Sequence, residues 1–212
     1  MTRPVVTISA SYGASGSRIG QELARRLGAR FFDRAIPAEV ARRLAVPLER
    51  ALAHDEAAPS GIARVLHSCG SFMPWPGQPP SPSEIGERAF RAETERIIHE
   101  AAETGAAVLL GRAAALVLGD APGTLHVRLD GPQARRVEQA MRAEGIDRKT
   151  ARHRLRESDR ARDAYVRHAY GADPHDHQLY HLVVDSTALD PATCVDLLTL
   201  AAFARSEPPA HG

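Results

Sequence analysis

Lysine and cysteine are almost absent from this chain of 212 residues. Lys149 is the only lysine among 27 basic residues, so a site that needs a fixed cation must use arginine. The two cysteines, Cys69 and Cys194, are too few for a disulfide framework, and a reducing cytoplasm is therefore the expected location.

Long apolar runs and a large charge excess are also missing. Runs such as residues 106–110 are far too short to span a membrane, and the net charge of +1 argues against a general nucleic-acid or membrane binder. Residues 1–4 lead directly into a strand-like run, so no secretory leader is expected. The ordinary proportions of hydrophobic (43%) and charged (25%) residues predict one globular domain over residues 1–205, followed by a flexible tail over 206–212.

Strand and helix patterns alternate along the chain. Residues 5–9 form a β-branched run typical of a buried strand, and a turn of small residues follows. Ile19, Leu23 and Leu27 then have the i, i+4 spacing of a helix that ends at Gly28. Further strands are predicted at 30–33, 107–110, 125–130 (with its polar residues on a wetter face) and 182–185, and further helices at 35–44, 48–54, 84–103, after Pro132 and at 191–204. This alternation predicts an α/β fold with a mainly parallel sheet.

Two segments differ from this pattern. Residues 55–83 contain six prolines, which predicts a long excursion from the core. Residues 148–167 carry seven arginines and one lysine, and a helix that is polar all round is not an ordinary core helix. These cations either bind an anionic ligand or form i, i+4 ion pairs on a solvated surface.

The turn between the first strand and the first helix has features of a phosphate-binding loop. Small residues from Ser9 to Arg18 allow backbone N–H groups to converge, and the helix directs the positive end of its dipole at the same place. In the register of GxxxxGK[ST], Gly16 is the second glycine and Ser11 replaces the first. Ser17 then stands at the lysine position, and Arg18 is the expected substitute cation. An ordinary strand–helix turn is the alternative.

Five segments extend this signal along the chain in a fixed order: VVTISASYGASGSRIG at 5–20, FFDR at 31–34, VLLGR at 108–112, DRARDAY at 159–165 and VDST at 184–187. Together they resemble the cytidylate kinase-like family, P-loop proteins related to bacterial CMP kinase. The resemblance covers roughly residues 4 to 200. It implies a three-layer nucleoside-monophosphate-kinase fold with a monophosphate-binding insertion at about 55–83 and an arginine-rich lid at about 145–170.

The resemblance also implies roles for individual residues. Arg112 would hold the phosphate of the acceptor, and Asp159 and Arg162 would contact its ribose and phosphates. Asp33 would lie near the acceptor phosphate and Mg²⁺. Catalysis would rest on Arg18, Asp33 and Arg162, because phosphoryl transfer depends on positioning and on stabilisation of charge. The phosphates of ATP would be held by Ser11, Tyr12, Gly13, Ala14, Ser15, Gly16, Ser17 and Arg18.

Structural roles are the alternatives for the acceptor-side residues. Arg112 could pair with a surface acid, and Asp33 could cap a helix that begins at Ala35. Asp159 and Arg162 could form a pair on the surface of a helix.

Three departures from the family pattern concern the acceptor. Arg34 stands where CMP kinases have a small hydroxyl residue, Ala113 where they have an aspartate that contacts the base, and Leu155 where they have an additional arginine. The expected activity is transfer of the γ-phosphate of Mg·ATP to a nucleoside monophosphate similar to CMP or dCMP, with no nucleic-acid or membrane partner. A non-catalytic nucleotide-binding regulator and a small-molecule kinase with another acceptor are the alternatives. The histidines of 173–181 do not follow a zinc-ligand pattern and are expected in a polar loop.

Overall fold

The computed structural model describes residues 4–33, 43 and 82–206. These ranges contain β1 (Val5–Ala10), α1 (Gly16–Leu27), β2 (Arg30–Phe32), α2 (Pro82–Glu103), β3 (Ala107–Leu110), α3 (Ala114–Leu118), β4 (Thr124–Asp130), α4 (Gln133–Glu144), α5 (Arg148–Tyr170), a short 3-10 turn (His177–Leu179), β5 (Leu182–Asp185) and α6 (Pro191–Ser206). Apart from Arg43, the helices predicted at 35–44 and 48–54 lie outside the described residues, as do residues 55–81 of the excursion and the tail at 207–212.

The five strands form one parallel sheet in the order β2-β3-β1-β4-β5. Strand β1 is central, with Val6 beside Val108 of β3 and Ile8 beside Val127 of β4. All four strand pairings are parallel, which confirms the predicted sheet. Because the carboxyl ends of parallel strands meet at one edge, the segments that follow β1, β2, β3 and β5 lie close together there.

Helices cover both faces of the sheet and give three layers. Helices α1 and α6 bury Ile19, Leu23 and Leu198 against one face. Helices α2 and α3 bury Ile98 and Leu118 against the other. Helix α2 begins at Pro82, so the last two residues of the predicted excursion are helical, and proline suits the first turn because no intrahelical partner is lost there.

The polar side of β4 is buried, so the predicted wetter face is wrong. His126 and Arg128 are each 4% exposed. The Thr7 hydroxyl lies 2.7 Å from His126 Nδ1, and His126 Nε2 lies 2.6 Å from the Gly119 carbonyl oxygen. Arg128 donates to the Pro174 carbonyl oxygen at 3.0 Å. Strand alternation alone does not reveal this, because the covering groups come from distant parts of the chain.

Helices α4 and α5 form a hairpin beside the carboxyl edge of the sheet. Asp147 caps the N-terminus of α5, and its carboxylate accepts the Thr150 N–H at 3.0 Å. Ala151 and Leu155 of α5 pack with Val137 and other residues of α4 in a small separate core. The arginine-rich segment is therefore a helix with one apolar side. Among the described helices, none has both the length and the apolar character that a membrane span requires.

Candidate active site

A cleft of about 900 Å³ lies at the carboxyl edge of the sheet. The β1–α1 loop, the end of β3, the α4–α5 hairpin and the β5–α6 loop all contribute to its walls. The structure places ten of the predicted site residues on this lining: Ser11, Tyr12, Gly13, Ser15, Gly16, Ser17, Arg18, Asp33, Arg112 and Arg162. Ala14 and Asp159 are not on it. Ala14 is fully buried in the core, where its carbonyl oxygen accepts the Ser186 hydroxyl at 2.8 Å.

The β1–α1 loop has the backbone shape of an anion-binding site. Ser15 adopts a left-handed conformation (φ 56°) directly before the first residue of α1, Gly16. A Cβ at Gly16 would lie 2.4 Å from Cβ of Ala10, so the chain passes too closely for any side chain. Helix α1 has no acidic residue in its first turn and no side-chain cap from Ser15. Its first N–H groups and its dipole therefore favour a phosphate in the cleft.

Ser17, which stands at the lysine position of the P-loop register, is bonded to Asp33. The Ser17 hydroxyl donates to Asp33 Oδ2 at 3.2 Å, which joins the start of α1 to the end of β2. The next residue, Arg18, is exposed on the cleft wall and has no hydrogen bond or ion pair to the described residues. No described residue therefore competes with a ligand for the Arg18 guanidinium, and the role of Arg18 as the substitute cation stays a prediction. The alternative role of Asp33 as a cap for a helix at Ala35 lies outside the described residues.

Arg112 is held in a strained turn that directs it into the cleft. Gly111, Arg112 and Ala113 are consecutive left-handed residues, with φ of 78°, 57° and 53°. For the two residues with a side chain this conformation costs on the order of 1–2 kcal/mol each. Arg112 is only 3% exposed, donates to the Leu110 carbonyl oxygen at 2.8 Å, and lies 3.8 Å from Asp33 Oδ1. Asp33, the carboxylate that the described residues place near Arg112, is itself one of the predicted site residues.

Asp159 and Arg162 lie one turn apart on α5 but have different surroundings. Arg162 lines the cleft and contacts Asp159 Oδ1 at 3.3 Å. Asp159 faces the phosphate-binding loop: Oδ1 accepts the Tyr12 N–H at 3.1 Å, and Oδ2 accepts Nη1 of Arg136 at 2.7 Å. In this structure the two oxygens of Asp159 are therefore bonded to the protein itself.

Several residues that the sequence analysis missed support the loop. Arg128 Nη2 donates to the Ser11 hydroxyl at 3.3 Å and to Asp130 at 2.9 Å. Burial is the largest single influence on Arg128 and disfavours its charged form, but the hydrogen bonds and charge interactions with Asp130 and Tyr180 together outweigh burial and raise the pKa of Arg128. Gln139 of α4 donates to the Ser15 hydroxyl. No motif in the sequence marks either residue, because both act on atoms more than a hundred residues away.

Arginine dominates the charge of the cleft. Its lining includes Asp33, Glu138 and Glu144 as the carboxylates, and Arg18, Arg112, Arg135, Arg142 and Arg162 as the cations. Arg135 donates at 2.7 Å to Asp185, the last residue of β5. Glu144 accepts a hydrogen bond from the Tyr12 hydroxyl at 2.6 Å. The pKa of Tyr12 is raised to about 12, mainly because the side chain is partly buried and secondly because of this bond. The excess of guanidinium groups beside a helix N-terminus suits a ligand with several negative charges.

The fold is that of the P-loop kinases, which confirms the predicted fold class. Similar solved structures include a protein of Eubacterium ventriosum described as uncharacterised, with a TM-score of 0.68 and 16% identity over 96% of this chain and 100% of that one. A gluconokinase of Sinorhizobium meliloti has a TM-score of 0.52 and 17% identity over 96% and 93%. A shikimate kinase of Bacteroides thetaiotaomicron has a TM-score of 0.50 and 12% identity over 93% and 97%. At these identities the likeness shows the fold alone.

Sequence comparison defines the family. The chain belongs to the cytidylate kinase-like family, whose model matches residues 5–188. A cytidylate kinase of Methanopyrus kandleri is 37% identical over 103 residues, which is 45% of this chain and 53% of that protein. A uronate isomerase of Corynebacterium glutamicum is 32% identical over 118 residues, 56% of this chain and 22% of that protein. The match thus spans about half of the first relative and less of the second.

Proposed function

We propose that this chain is a kinase that transfers the γ-phosphate of ATP to a nucleoside monophosphate, with CMP and dCMP as the first candidate acceptors. The family match and the P-loop kinase fold support a kinase. One observation carries the proposal: the phosphate-binding loop and the guanidinium groups of Arg112 and Arg162 open onto the same cleft. A donor and an anionic acceptor can therefore meet there.

The donor side consists of the β1–α1 loop and Arg18. N–H groups at the start of α1 suit the terminal phosphates of ATP, since they carry the partial positive charge of the helix end. Among the described residues, Arg18 is a cation with no protein partner at this place, one residue beyond the usual lysine position. Arginine keeps its charge at any working pH and binds phosphate through a planar fork.

The acceptor side consists of Arg112, Arg162 and Asp33. The fold maintains two strained residues to bury the Arg112 guanidinium at the cleft, which is typical of a functional position. Two arginines here favour an acceptor that carries a phosphate over a neutral alcohol. The predicted contact of Asp159 with the acceptor ribose stays a prediction.

Mg²⁺ is expected to enter with ATP. The carboxylate of Asp33 and the hydroxyl of Ser17 are adjacent oxygen donors on the cleft wall, and they fit an ion that prefers oxygen ligands and keeps several of its waters. The ion would neutralise charge on the donor phosphates. The hydrogen bond between Ser17 and Asp33 also joins the start of α1, on the proposed donor side, to the end of β2, on the proposed acceptor side.

A coupled ADP-release assay with Mg·ATP tests the proposal. The acceptors are CMP, dCMP, UMP and AMP, with shikimate and gluconate as acceptors that lack a phosphate. We expect turnover with CMP or dCMP, and a decrease of at least about 100-fold in Arg112→Lys, which keeps the charge but not the fork. Arg25→Ala is the matched control, because Arg25 is exposed on α1 and pairs with Glu22 away from the cleft. Turnover with shikimate or gluconate alone would show that the acceptor assignment is wrong.

A non-catalytic nucleotide-binding regulator is the second candidate. The observation in its favour is that serine, not lysine, occupies position 17 and that its hydroxyl is bonded to Asp33. Binding of adenine nucleotides without turnover on any acceptor of the same panel would favour the regulator.

A further inference from the structure

Tyr12 of the phosphate-binding loop is bonded to the α4–α5 hairpin through every polar group it has. Its N–H donates to Asp159 Oδ1 at 3.1 Å, and its carbonyl oxygen accepts Nη1 of Arg136 at 3.0 Å. Its hydroxyl donates to Glu144 at 2.6 Å. These contacts join residues more than 120 positions apart, so they depend wholly on how the hairpin packs.

Arg136 and Asp159 form an ion pair beside Tyr12. The Arg136 side chain is 6% exposed, and its Nη1 donates to Asp159 Oδ2 at 2.7 Å as well as to Tyr12. Its Nε donates to the Gly131 carbonyl oxygen at 2.9 Å. A buried guanidinium is tolerated only when it is paired and hydrogen-bonded, and both conditions hold here. Loss of Asp159 would leave the buried Arg136 guanidinium with Asp130 Oδ1, at 3.5 Å, as its carboxylate partner among the described residues. Loss of Arg136 would leave Asp159 bonded to Tyr12 and Arg162.

The backbone of α4 also contacts the loop directly. A Cβ at Gly13 would lie 2.3 Å from the Arg136 carbonyl oxygen, closer than side-chain atoms approach a backbone. The loop at Gly13 therefore has no space to move toward α4. Contacts with α4 and α5, which also line part of the cleft, therefore restrict the shape of the loop.

We propose that Asp159 and Arg136 form a positioning pair that holds Tyr12 and thereby preorganises the phosphate-binding loop for the donor nucleotide. The inference rests on the proposed function and gives Asp159 a positioning role on the donor side, through its bonds to Tyr12 and Arg136. The carboxylate of Asp159 is absent from the cleft lining, whereas its two oxygens are bonded to Tyr12 and Arg136. A loop already fixed in its binding shape loses less conformational entropy when phosphate binds.

Asp159→Asn tests the pair, because an amide NH₂ cannot accept a hydrogen bond from Arg136. Hydrogen exchange of a peptide that covers the loop is measured first, without nucleotide. Calorimetric titration then gives the Kd for Mg·ADP and for CMP. We expect roughly 10-fold faster exchange, roughly 10-fold weaker binding of Mg·ADP, and a CMP affinity that changes less than about 2-fold. Glu157→Gln, on an exposed carboxylate of the same helix, is the control and is expected to leave all three quantities unchanged.

Arg136→Lys provides a second route to the same test if Asp159→Asn does not fold, since lysine keeps the charge but cannot reach the three acceptors together. Weaker CMP binding with unchanged Mg·ADP binding would overturn the inference and assign Asp159 to the acceptor. Unchanged loop exchange would overturn it as well. A wild-type protein that binds no adenine nucleotide refutes the proposed function itself, and the donor role of the pair with it.

Discussion

Replacement of Gly13 with alanine tests how closely the phosphate-binding loop packs on α4. Gly13 has a φ of +79°, and a Cβ there would lie 2.3 Å from the Arg136 carbonyl oxygen and 2.9 Å from its carbonyl carbon. Both obstacles are backbone atoms, so no side-chain rotation relieves them. The substitution must therefore displace either the loop or α4.

The expected loss of unfolding free energy in Gly13→Ala is the sum of two costs. A left-handed conformation costs alanine on the order of 1 kcal/mol. Displacement of a packed backbone by the better part of an ångström costs about 1–3 kcal/mol more, as in other overpacked sites. Gly28→Ala is the matched control. Gly28 has a φ of +61° at the C-terminal end of α1, and no atom lies within 4 Å of the added Cβ. The smaller entropy of the unfolded chain with alanine affects both variants equally.

Urea unfolding of the two variants measures the difference. We expect Gly28→Ala to lose about 1 kcal/mol of unfolding free energy and Gly13→Ala about 3 kcal/mol. Gly13→Ala should also bind Mg·ADP more weakly, whereas Gly28→Ala should bind it normally. If the two variants lie within about 0.5 kcal/mol of each other, the close approach of the loop to α4 does not exist in solution.

Two further predictions concern Arg162, the proposed acceptor cation, and the buried His126. Arg162→Ala should lower turnover, measured by steady-state kinetics, by about 100-fold or more. It should change the free energy of urea unfolding by only about 1 kcal/mol, because the described contact of Arg162 is a single 3.3 Å bond to Asp159. Comparable losses of activity and of stability would instead assign Arg162 a structural role. Burial lowers the pKa of His126 below its ordinary value of 6.5, so the folded state binds fewer protons than the unfolded state. The stability should therefore fall as the pH decreases below about 6.5, and thermal unfolding between pH 7.5 and pH 5 (roughly the range in which histidine titrates) should show a weaker dependence in His126→Gln. If thermal unfolding of His126→Gln depended on pH as strongly as that of the wild type, the result would contradict a neutral His126 imidazole in the folded state. His181, stacked on His126, has a pKa that burial also lowers, and it accounts for part of the dependence that remains.

The secondary structure was predictable where its signals are local. Residues 5–9, the glycine-containing turn and the i, i+4 spacing of Ile19 and Leu23 specify strand, loop and helix within about twenty residues. The polarity of single residues in a strand predicted their solvent exposure less well. His126 and Arg128 alternate with apolar residues, as the residues of a half-solvated strand do, but distant hydroxyl and carbonyl groups cover them.

For the cleft, the sequence determined the residues that adjoin the ends of its elements. Ser17, Asp33 and Arg112 follow strands or begin a helix, and parallel strands bring such positions to one edge whatever the details of packing. Only the tertiary structure decided which charges meet beside the loop. Arg136 and Gln139 each act on an atom 124 positions away, and an arginine on a helix carries no local sign of whether it faces water or a buried carboxylate. That choice depends on the packing of α4 against the loop, which is a property of the whole folded chain.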